Sequence, residues 1–371
     1  MKILYFLFYI ISIINAQIIT QHLGYYKLRP TIKLFYPQEK NEIDIILNSY
    51  ISISLIDKDD FKQTISSQVE FNQEIQLYLT YKTFLYQTSY MIDNLKPCKC
   101  KLYINKSSTY FFHDFGLGLA YKFDDEQFSL IHTLYNNNLI EKKQYAFFIN
   151  QVNDSFHIGG IPNNEHLYYP YKGRCSIDKT QREWGCNLTF LSYKDNFEKT
   201  NITGIFYTGL NRMFYSDFLF SFFEKKVFKD YISNKTCAIE INDENKKSLL
   251  CYSGINNDDY IELTLGKMTI QVKLRDLFIK DSSFVFVSQF PSNPFQKNNY
   301  TFFIGFGFLK LFNYSIFDYD TSTVELYSDT NKITNVRNQS HLLFIIMVII
   351  ICISNIFMNL YIIIQKNYNN I

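Results

Sequence analysis

The sequence predicts an all-β protein that consists of two similar lobes with a few short helices. Short apolar runs of strand length alternate with polar turns over most of the chain. The part between its two ends, about 320 residues, is too long for one ordinary core and suits two lobes. Residues 302–327 have the pattern of a closing β unit, in which two short strands flank Gly305 and Gly307 and a hairpin turns at Asp318 to Thr323.

The first lobe, residues 17–164, contains a series of predicted strands and one helix. Runs with strand length and composition are residues 31–36, 42–47, 51–56, 75–79, 84–93 and 145–149. A helix is predicted at residues 127–138, where apolar side chains recur at helical spacing. Residues 155–161 lead to a turn at 162–165, which marks the end of this lobe.

The second lobe, residues 165–334, repeats the strand pattern and has a predicted helix near residues 216–228. The order of strands and helix is similar in the two lobes, although the sequence itself does not repeat. This similarity in order favours an origin by duplication.

Both ends of the chain have the composition of membrane-related segments. Residues 1–16 begin with Met1-Lys2, continue with an apolar run and end at Ala16, which is typical of a cleaved signal peptide. Residues 342–364 form an apolar run of 23 residues, long enough to cross a hydrocarbon core of about 30 Å. A polar tail, residues 365–371, follows this run, so a transmembrane helix is favoured over a removed lipid-anchor signal.

This arrangement predicts a membrane protein of the secretory pathway or the cell surface. Its two lobes are lumenal or extracellular, residues 335–341 form a juxtamembrane linker, and the tail with Lys366 is cytoplasmic. The charges nearly balance, at 37 Lys plus Arg against 35 Asp plus Glu, which argues against a nucleic-acid partner. We expect a monomer.

No cofactor and no metal are expected. The histidines are scattered without metal-ligand spacing, and neither a phosphate-binding loop nor a Gly-x-Ser-x-Gly elbow occurs. The six histidines are His22, His113, His132, His157, His166 and His341.

Six cysteines lie outside the apolar ends, and an even number in a secreted segment predicts disulfides. Cys175 with Cys186, and Cys237 with Cys251, form short loops that suit bridged hairpins. A bridge between Cys98 and Cys100 would be strained, so their partners stay open.

Eight Asn-x-Ser/Thr sequons predict a glycoprotein with glycans on surface loops. They begin at Asn105, Asn153, Asn187, Asn201, Asn234, Asn299, Asn313 and Asn338. Several matches are expected by chance in so Asn-rich a chain, and their agreement with the signal peptide gives them weight.

A set of motifs, in order along the chain, resembles the pepsin-like aspartic protease family. The matching segments are Asp-Phe-Gly-Leu-Gly-Leu at 114–119, the helix and strand at 134–149, His-Ile-Gly-Gly-Ile at 157–161, the Trp-containing strand at 184–191, Ile304-Gly305 and Phe317-Asp318-Tyr319. The resemblance implies a bilobal β fold with a cleft between its lobes and an activity against peptide bonds.

In active members of that family each lobe supplies an aspartate, in Asp-Thr-Gly or Asp-Ser-Gly, and the two carboxylates share a proton. The first such position in this chain is Asn48, in Asn48-Ser49-Tyr50, and the second is Tyr207, in Tyr207-Thr208-Gly209. The resemblance assigns Ser49 and Thr208 to hydrogen bonds that interlock the lobes. It assigns Gly209 to a tight turn.

Neither replacement suits the shared-proton reaction. An asparagine amide does not exchange a proton near neutral pH, and a tyrosine, with a reference pKa of about 10, is neutral and bulky where a water must bind. Other carboxylates near these positions read more simply as solvated surface charges, because a slip of several residues along a strand moves a side chain far from the cleft. These are Asp44, Asp57, Asp59, Asp60 and Asp217.

The family's flap hairpin carries a tyrosine, and its position in this chain falls on Tyr81. Both flap glycines are absent, which would stiffen the turn and narrow the cleft. An ordinary strand tyrosine is an equally good reading of Tyr81.

Three functions therefore stay open. The first is an inactive membrane-anchored homologue that binds a polypeptide or another extracellular ligand in its cleft. The second is an active aspartic endopeptidase with a non-standard or misaligned pair of acids. The third is a surface-coat or adhesion glycoprotein without a functional cleft, which a cleft filled by Tyr207, Tyr50 or the flap would favour.

Overall fold

The computed structural model describes residues 18–26, 29–36, 41–50, 55–57, 69–76, 80–90, 98–105, 117–123, 126–150, 152–210, 213–241, 247–251, 255, 259–277, 279–281, 284–289, 301–329 and 333–334. Between residues 51 and 105 it describes only the backbone of the strands. The predicted signal peptide, linker, transmembrane helix and tail lie outside the described residues, as do Asn299 and Asn338.

Strands make up most of the described chain. Those of the first half are β1 (Ile19–His22), β2 (Gly24–Tyr26), β3 (Arg29–Tyr36), β4 (Asn41–Asn48), β5 (Leu55–Asp57), β6 (Val69–Gln76), β7 (Thr80–Tyr90), β8 (Cys98–Asn105), β9 (Leu117–Gly118), β10 (Gln144–Phe148) and β11 (Ser155–Ile158). Those of the second half are β12 (Tyr171–Ser176), β13 (Gly185–Tyr193), β14 (Asn196–Tyr207), β15 (Phe214–Tyr215), β16 (Cys237–Ile241), β17 (Lys247–Cys251), β18 (Tyr260–Leu265), β19 (Met268–Lys273), β20 (Ile279–Asp281), β21 (Phe284–Gln289), β22 (Thr301–Gly305), β23 (Tyr314–Asp318), β24 (Thr323–Tyr327) and β25 (Ile333–Thr334).

The helices within the described residues are short. The α-helices are α1 (Leu130–Asn136), α2 (Asp217–Phe222), α3 (Lys229–Ser233) and α4 (Phe306–Leu309), and a π-helical turn, Phe223–Val227, continues α2. Serine side chains cap the first two, because Ser129 and Ser216 each accept a hydrogen bond from a backbone N–H of the first turn. Further 3-10 turns are Glu126–Phe128, Pro162–Tyr168 and Leu274–Leu277. None of the helices described is long and apolar enough to cross a bilayer.

One sheet joins the two halves of the chain. Its six strands follow the order β1-β11-β10-β23-β24-β12, so strands from both ends of the sequence lie side by side. At its centre β10 pairs antiparallel with β23, and the rings of Tyr145 and Phe317 stack with centroids 4.7 Å apart. Two four-stranded sheets, β2-β3-β4-β9 and β5-β8-β7-β6, come only from the first half. An eleven-stranded sheet comes only from the second half.

This architecture confirms the predicted mostly-β, bilobal fold with few short helices. The predicted helices at 127–138 and 216–228 correspond to α1 with the 3-10 turn before it, and to α2 with its π-helical continuation. The hairpin predicted at Asp318 to Thr323 joins β23 to β24.

One local prediction is wrong. The residues after Gly305 do not form a second strand: β22 ends at Gly305 and α4 begins at Phe306. The Phe306 N–H donates to the Leu210 carbonyl at 2.7 Å, which turns the chain away from the sheet. An alternating Phe-Gly-Phe pattern has strand periodicity, but four residues are too few to separate a strand from one helical turn.

Both predicted disulfides are present. Cys175 is bonded to Cys186, and Cys237 to Cys251. The second bridge links opposite residues of the β16–β17 hairpin. Cys98 and Cys100 lie on β8, where only the backbone is described, so their partners stay open.

The expectation that every sequon lies on a surface loop is wrong for Asn105, Asn187 and Asn201, which lie within strands β8, β13 and β14. For Asn313 the expectation of surface exposure is wrong as well. Its side chain is 7% exposed, its Nδ2 donates to the Ile149 carbonyl, and its Oδ1 accepts from the Asp329 N–H. An amide that is buried and bonded in this way cannot carry a glycan in the folded protein. The side chains of Asn153, Asn187, Asn201 and Asn234 are exposed, whereas only the backbone of Asn105 is described.

Candidate functional site

Two strand ends meet where the halves of the chain touch, and they have the same local architecture. β4 ends at Asn48 and pairs in parallel with β9, so that Asn48 lies opposite Gly118. β14 ends at Tyr207 and pairs in parallel with β22, so that Tyr207 lies opposite Gly305. In each case a hydroxyl residue follows the strand end directly. We call these strand ends the first and the second half-site.

The hydroxyl residues of the half-sites bond each other reciprocally. The Ser49 N–H donates to Thr208 Oγ1 at 2.9 Å, and the Thr208 N–H donates to Ser49 Oγ at 3.0 Å. Each hydroxyl then donates to the carbonyl before the opposite strand end: Ser49 Oγ to Phe206 at 2.6 Å, and Thr208 Oγ1 to Leu47 at 2.7 Å. Ser49 and Thr208 are fully buried, so these four bonds form the interlock that the sequence predicts.

The Asn48 side chain is buried between the half-sites. Its Oδ1 accepts from the Tyr50 N–H at 3.1 Å, which closes a local turn around Ser49. Its amide lies against the second half-site, because a Cβ added to Gly209 would meet Asn48 Nδ2 at 2.7 Å and Tyr207 Cε2 at 2.8 Å. Glycine is therefore required at residue 209 by the close approach of Asn48 and Tyr207.

Aromatic rings fill the space beside Asn48. Tyr50 of the first half-site stacks on Tyr207 of the second, with centroids 4.6 Å apart and planes 22° from parallel. Phe303 of β22 meets both rings edge-on, at 5.4 Å from Tyr50 and 5.7 Å from Tyr207. Tyr207 is 4% exposed and Tyr50 is half-buried. We call Tyr50, Tyr207 and Phe303 the aromatic cluster.

A buried carbonyl holds the strand next to Asn48 in place. The Leu119 N–H donates to the Asn48 carbonyl at 2.9 Å. The Leu119 carbonyl in turn accepts from Trp184 Nε1 at 2.7 Å and lies 3.2 Å from the hydroxyl oxygens of Tyr145 and Tyr319. Burial raises the pKa of both tyrosines well above its ordinary value, so the hydroxyls stay protonated and can donate.

The structure places two of the alternative carboxylates at the surface. Asp44 and Asp217 are exposed, the former four residues before Asn48 on β4. For Asp57 only the backbone is described, and Asp59 and Asp60 lie outside the described residues.

The predicted flap residue, Tyr81, lies on β7 opposite Ile75 of β6, near the turn of that hairpin. Its side chain is outside the described atoms, so its role stays a prediction. Within the residues that the structure describes, no group of three or more His, Cys, Asp or Glu side chains could hold a metal ion.

Some site residues were not predicted from the sequence. Phe303 joins the aromatic cluster through the parallel register of β14 and β22, and the Leu119 carbonyl brings together residues from distant parts of the chain. The apolar run ending at Gly305 was the available signal for Phe303, but a single run does not reveal its partner strand.

Comparison with known proteins defines the class to which this architecture belongs. The family model of the eukaryotic aspartyl protease matches residues 103–328. The chain belongs to this family, which confirms the resemblance inferred from its motifs.

A solved structure of a family member has the same fold. The crystal structure of aspartic proteinase from Irpex lacteus matches with a TM-score of 0.64 and 14% identity, over 85% of this chain and 98% of that chain. At this identity the match shows the fold alone. A search of curated proteins found no significant match.

Proposed function

We propose that this chain is a catalytically inactive aspartyl protease homologue, anchored in a membrane of the secretory pathway or at the cell surface. Its two lobes bind a polypeptide or another extracellular ligand in the cleft between them. The observation that carries the proposal is the pair Asn48 and Tyr207 at the two strand ends, next to the interlocked Ser49 and Thr208.

The side chains of the two half-sites do not suit the proton transfer of peptide hydrolysis. Peptide hydrolysis in this family needs two carboxyl groups that share a proton and hold a water. The half-sites instead carry an amide and a phenol, and Asn48 Oδ1 is bonded to the Tyr50 N–H at 3.1 Å. The stacked rings of Tyr50 and Tyr207 occupy space beside Asn48 that an attacking water would need.

The aromatic cluster suits the binding of a ligand rather than its cleavage. Tyr50 is half-buried and its ring stacks on that of Tyr207. An aromatic surface of this kind favours contact with apolar or aromatic side chains of an extended polypeptide. The proposed ligand is therefore held by packing rather than cleaved.

Activity of the purified full-length chain in detergent tests this proposal. We expect no cleavage of an unfolded protein substrate at acid pH. The variant with Asn48→Asp, Tyr207→Asp and Tyr50→Gly restores both acids and clears the stacked ring. It should gain cleavage that a transition-state peptide inhibitor blocks, whereas the matched variant Asn48→Gln with Tyr207→Phe should stay silent.

Inhibitor-sensitive cleavage by the unmodified chain would contradict the proposal. It would favour the alternative of an active endopeptidase with a different pair of acids. Retention of the folded interlock in the variants can be checked by their thermal unfolding midpoints.

A second candidate is a surface-coat or adhesion glycoprotein without a functional cleft. The filling of the space beside Asn48 by Tyr50 and Tyr207 favours it, as do the exposed sequons on the second half. Binding measurements with a peptide library separate the two. Peptides whose affinity falls with Tyr50→Ala favour the cleft, and binding that is indifferent to Tyr50 favours the coat protein.

A further inference from the structure

We propose that Tyr50 and Tyr207 form a site of oxidative cross-linking, at which a peroxide joins the two phenol rings by a carbon–carbon bond. The product is a dityrosine bridge between the two halves of the chain. This inference goes beyond the proposed function, because it requires neither a membrane anchor nor a ligand in the cleft.

The two phenol rings are in direct contact across the half-sites. The centroids of Tyr50 and Tyr207 are 4.6 Å apart, and the ring planes are 22° from parallel. In a nearly parallel stack at this separation, the facing ring carbons are in van der Waals contact. Tyrosines cross-link through the ring carbons beside the one that bears the hydroxyl, so the reacting atoms belong to rings that already touch.

The backbones on both sides of the stack are held in place by the interlock. Tyr50 directly follows Ser49, and Tyr207 directly precedes Thr208. The reciprocal bonds of Ser49 and Thr208, at 2.9 and 3.0 Å, therefore fix the distance between the two rings. The Tyr50 N–H is bonded as well, to Asn48 Oδ1 at 3.1 Å. Two groups held together in this way react as if each were present at a very high concentration.

The described neighbours of the stack do not compete for a radical. The rings described against Tyr50 are those of Tyr207 and Phe303, and Phe303 has no hydroxyl group to oxidise. On the other side of Tyr207 lie Asn48 and Gly209, which also lack a readily oxidised group. Among these contacts, a phenoxyl radical formed on Tyr50 has Tyr207 as its reactive partner.

The two tyrosines differ in their contact with solvent. Tyr50 is half-buried and keeps some solvent contact, whereas Tyr207 is 4% exposed. An oxidant that arrives through solvent therefore removes an electron from Tyr50 first. Tyr207 is oxidised next, through the ring that it touches.

The reaction consumes one hydrogen peroxide for each bridge. Each phenol loses its hydroxyl proton and one electron, and the peroxide accepts the two protons and two electrons and is reduced to two waters. One ring carbon of Tyr50 then couples to one ring carbon of Tyr207. The hydrogen that each of these carbons carried moves to the phenol oxygen, which restores both aromatic rings.

Other tyrosine pairs of the described residues lack this combination of stacking and solvent contact. The next closest rings are those of Tyr171 and Tyr327, with centroids 5.2 Å apart and planes 58° from parallel. Tyr171 is 47% exposed, so this pair is accessible but not stacked. Tyr121 and Tyr319 are nearly parallel, but their centroids are 6.4 Å apart and both residues are buried. Close stacking and solvent contact coincide in the pair at the half-sites.

Oxidation of the purified full-length chain in detergent tests this inference. The chain is treated with hydrogen peroxide and a peroxidase, the monomer is isolated, and its peptides are mapped by mass spectrometry. We expect the main cross-link to join residues 50 and 207, with the loss of two hydrogens. Tyr50→Phe keeps the ring but removes the phenol, so it should lower the total dityrosine of the monomer about tenfold. Tyr171→Phe is the matched control and should leave the yield unchanged.

Two further samples show whether the folded stack is responsible. Tyr207→Phe repeats the test from the second half-site, and the chain unfolded in denaturant should also lose about nine-tenths of the dityrosine. Thermal unfolding midpoints show that the variants remain folded. Equal dityrosine in Tyr50→Phe and the unmodified chain would overturn the inference. A main cross-link between residues 171 and 327 would also overturn it, because access rather than stacking would then decide the product, and so would oxidation of Tyr50 without coupling.

Discussion

The two half-sites differ in their reactive residues while their framework is the same. Asn48 and Tyr207 both end a strand opposite a glycine of a parallel neighbour, and both precede a buried hydroxyl residue. The four interlock bonds are reciprocal, with lengths from 2.6 to 3.0 Å. The side chains at the two strand ends are unrelated: an amide with Tyr50 in the first half-site, a phenol with Gly209 in the second.

This contrast separates two roles that active relatives combine in one motif. The hydroxyls satisfy buried backbone groups of the opposite half, and that need persists whatever chemistry the site performs. The residue before each hydroxyl is free to change once no proton has to be shared. The framework is therefore explained by folding, and under the proposed function the replaced positions are where this chain differs from active relatives.

Removal of the interlock should have the largest effect on stability. Ser49→Ala leaves the Thr208 N–H and the Phe206 carbonyl without these partners, and Thr208→Val does the same to the Ser49 N–H and the Leu47 carbonyl. Each unsatisfied buried group costs about 1–3 kcal/mol, so each variant should lose about 3 kcal/mol of unfolding free energy. Denaturant unfolding of the full chain in detergent measures both losses.

The comparison of the two losses tests the equivalence of the half-sites. Similar values support a symmetric framework. If one variant loses more than twice as much unfolding free energy as the other, the hydrogen bonds from one half contribute most of the stability of the junction. Ser233→Ala is a suitable control, because Ser233 is exposed and its hydroxyl bonds the Lys229 carbonyl within one helix.

Gly209→Ala should have the next largest effect, and it exposes the asymmetry of the half-sites. The added Cβ would lie 2.7 Å from Asn48 Nδ2, a distance that forces the amide or the Tyr207 ring to move. Overpacking of this kind costs about 2 kcal/mol. Denaturant unfolding under the same conditions measures the loss.

The matched change in the first half-site is Tyr50→Ala. It removes a stacked ring but introduces no clash, so its loss should be smaller, about 1 kcal/mol. If Tyr50→Ala relieves the cost of Gly209→Ala in the double variant, the two half-sites are coupled through the aromatic cluster. Strict additivity would contradict that coupling.

The sequence predicted the framework better than the contents of the site. Runs such as residues 31–36 and 42–47 predicted β3 and β4, because a half-buried strand shows its periodicity directly. The prediction missed β8 (Cys98–Asn105), whose lysines and cysteines interrupt an apolar run, and of β6 (Val69–Gln76) it included only the last two residues. In polar strands the alternation of apolar and polar residues is weak, so the sequence pattern does not reveal them.

Contacts between distant segments were beyond the reach of local patterns. The resemblance pointed to Ser49 and Thr208, but the stacking of Tyr50 on Tyr207 depends on two side chains that are 157 positions apart and on the register of β22. Asn313 shows the same limit: its sequon is complete, yet its amide serves the backbone of Ile149 and Asp329. The fold therefore determines whether such an asparagine is exposed as a sequon or buried as a hydrogen-bonding group.

The smallest predicted effect is a loss of stability at acid pH, and it should arise outside the half-sites. His157 of β11 is 3% exposed, and its ring nitrogens lie 3.0 Å from Thr20 Oγ1 and 3.1 Å from Ser155 Oγ. Burial lowers the pKa of His157 to about 4 from an ordinary value near 6.5. The stability due to the neutral ring is therefore fully present above pH 6.5 and is lost as pH falls from 6.5 towards 4.

Between pH 6.5 and pH 5.5 the loss should be about 1 kcal/mol, and His157→Gln should flatten this part of the pH profile. Denaturant unfolding at both pH values measures the slope, and His22→Gln provides a control at an exposed histidine. A slope unchanged by His157→Gln would point to another buried group.

Asn48→Asp extends the comparison of the half-sites to acid pH. If this variant shows a steep acid dependence of stability, a single carboxylate in the first half-site is enough to make that half-site titrate.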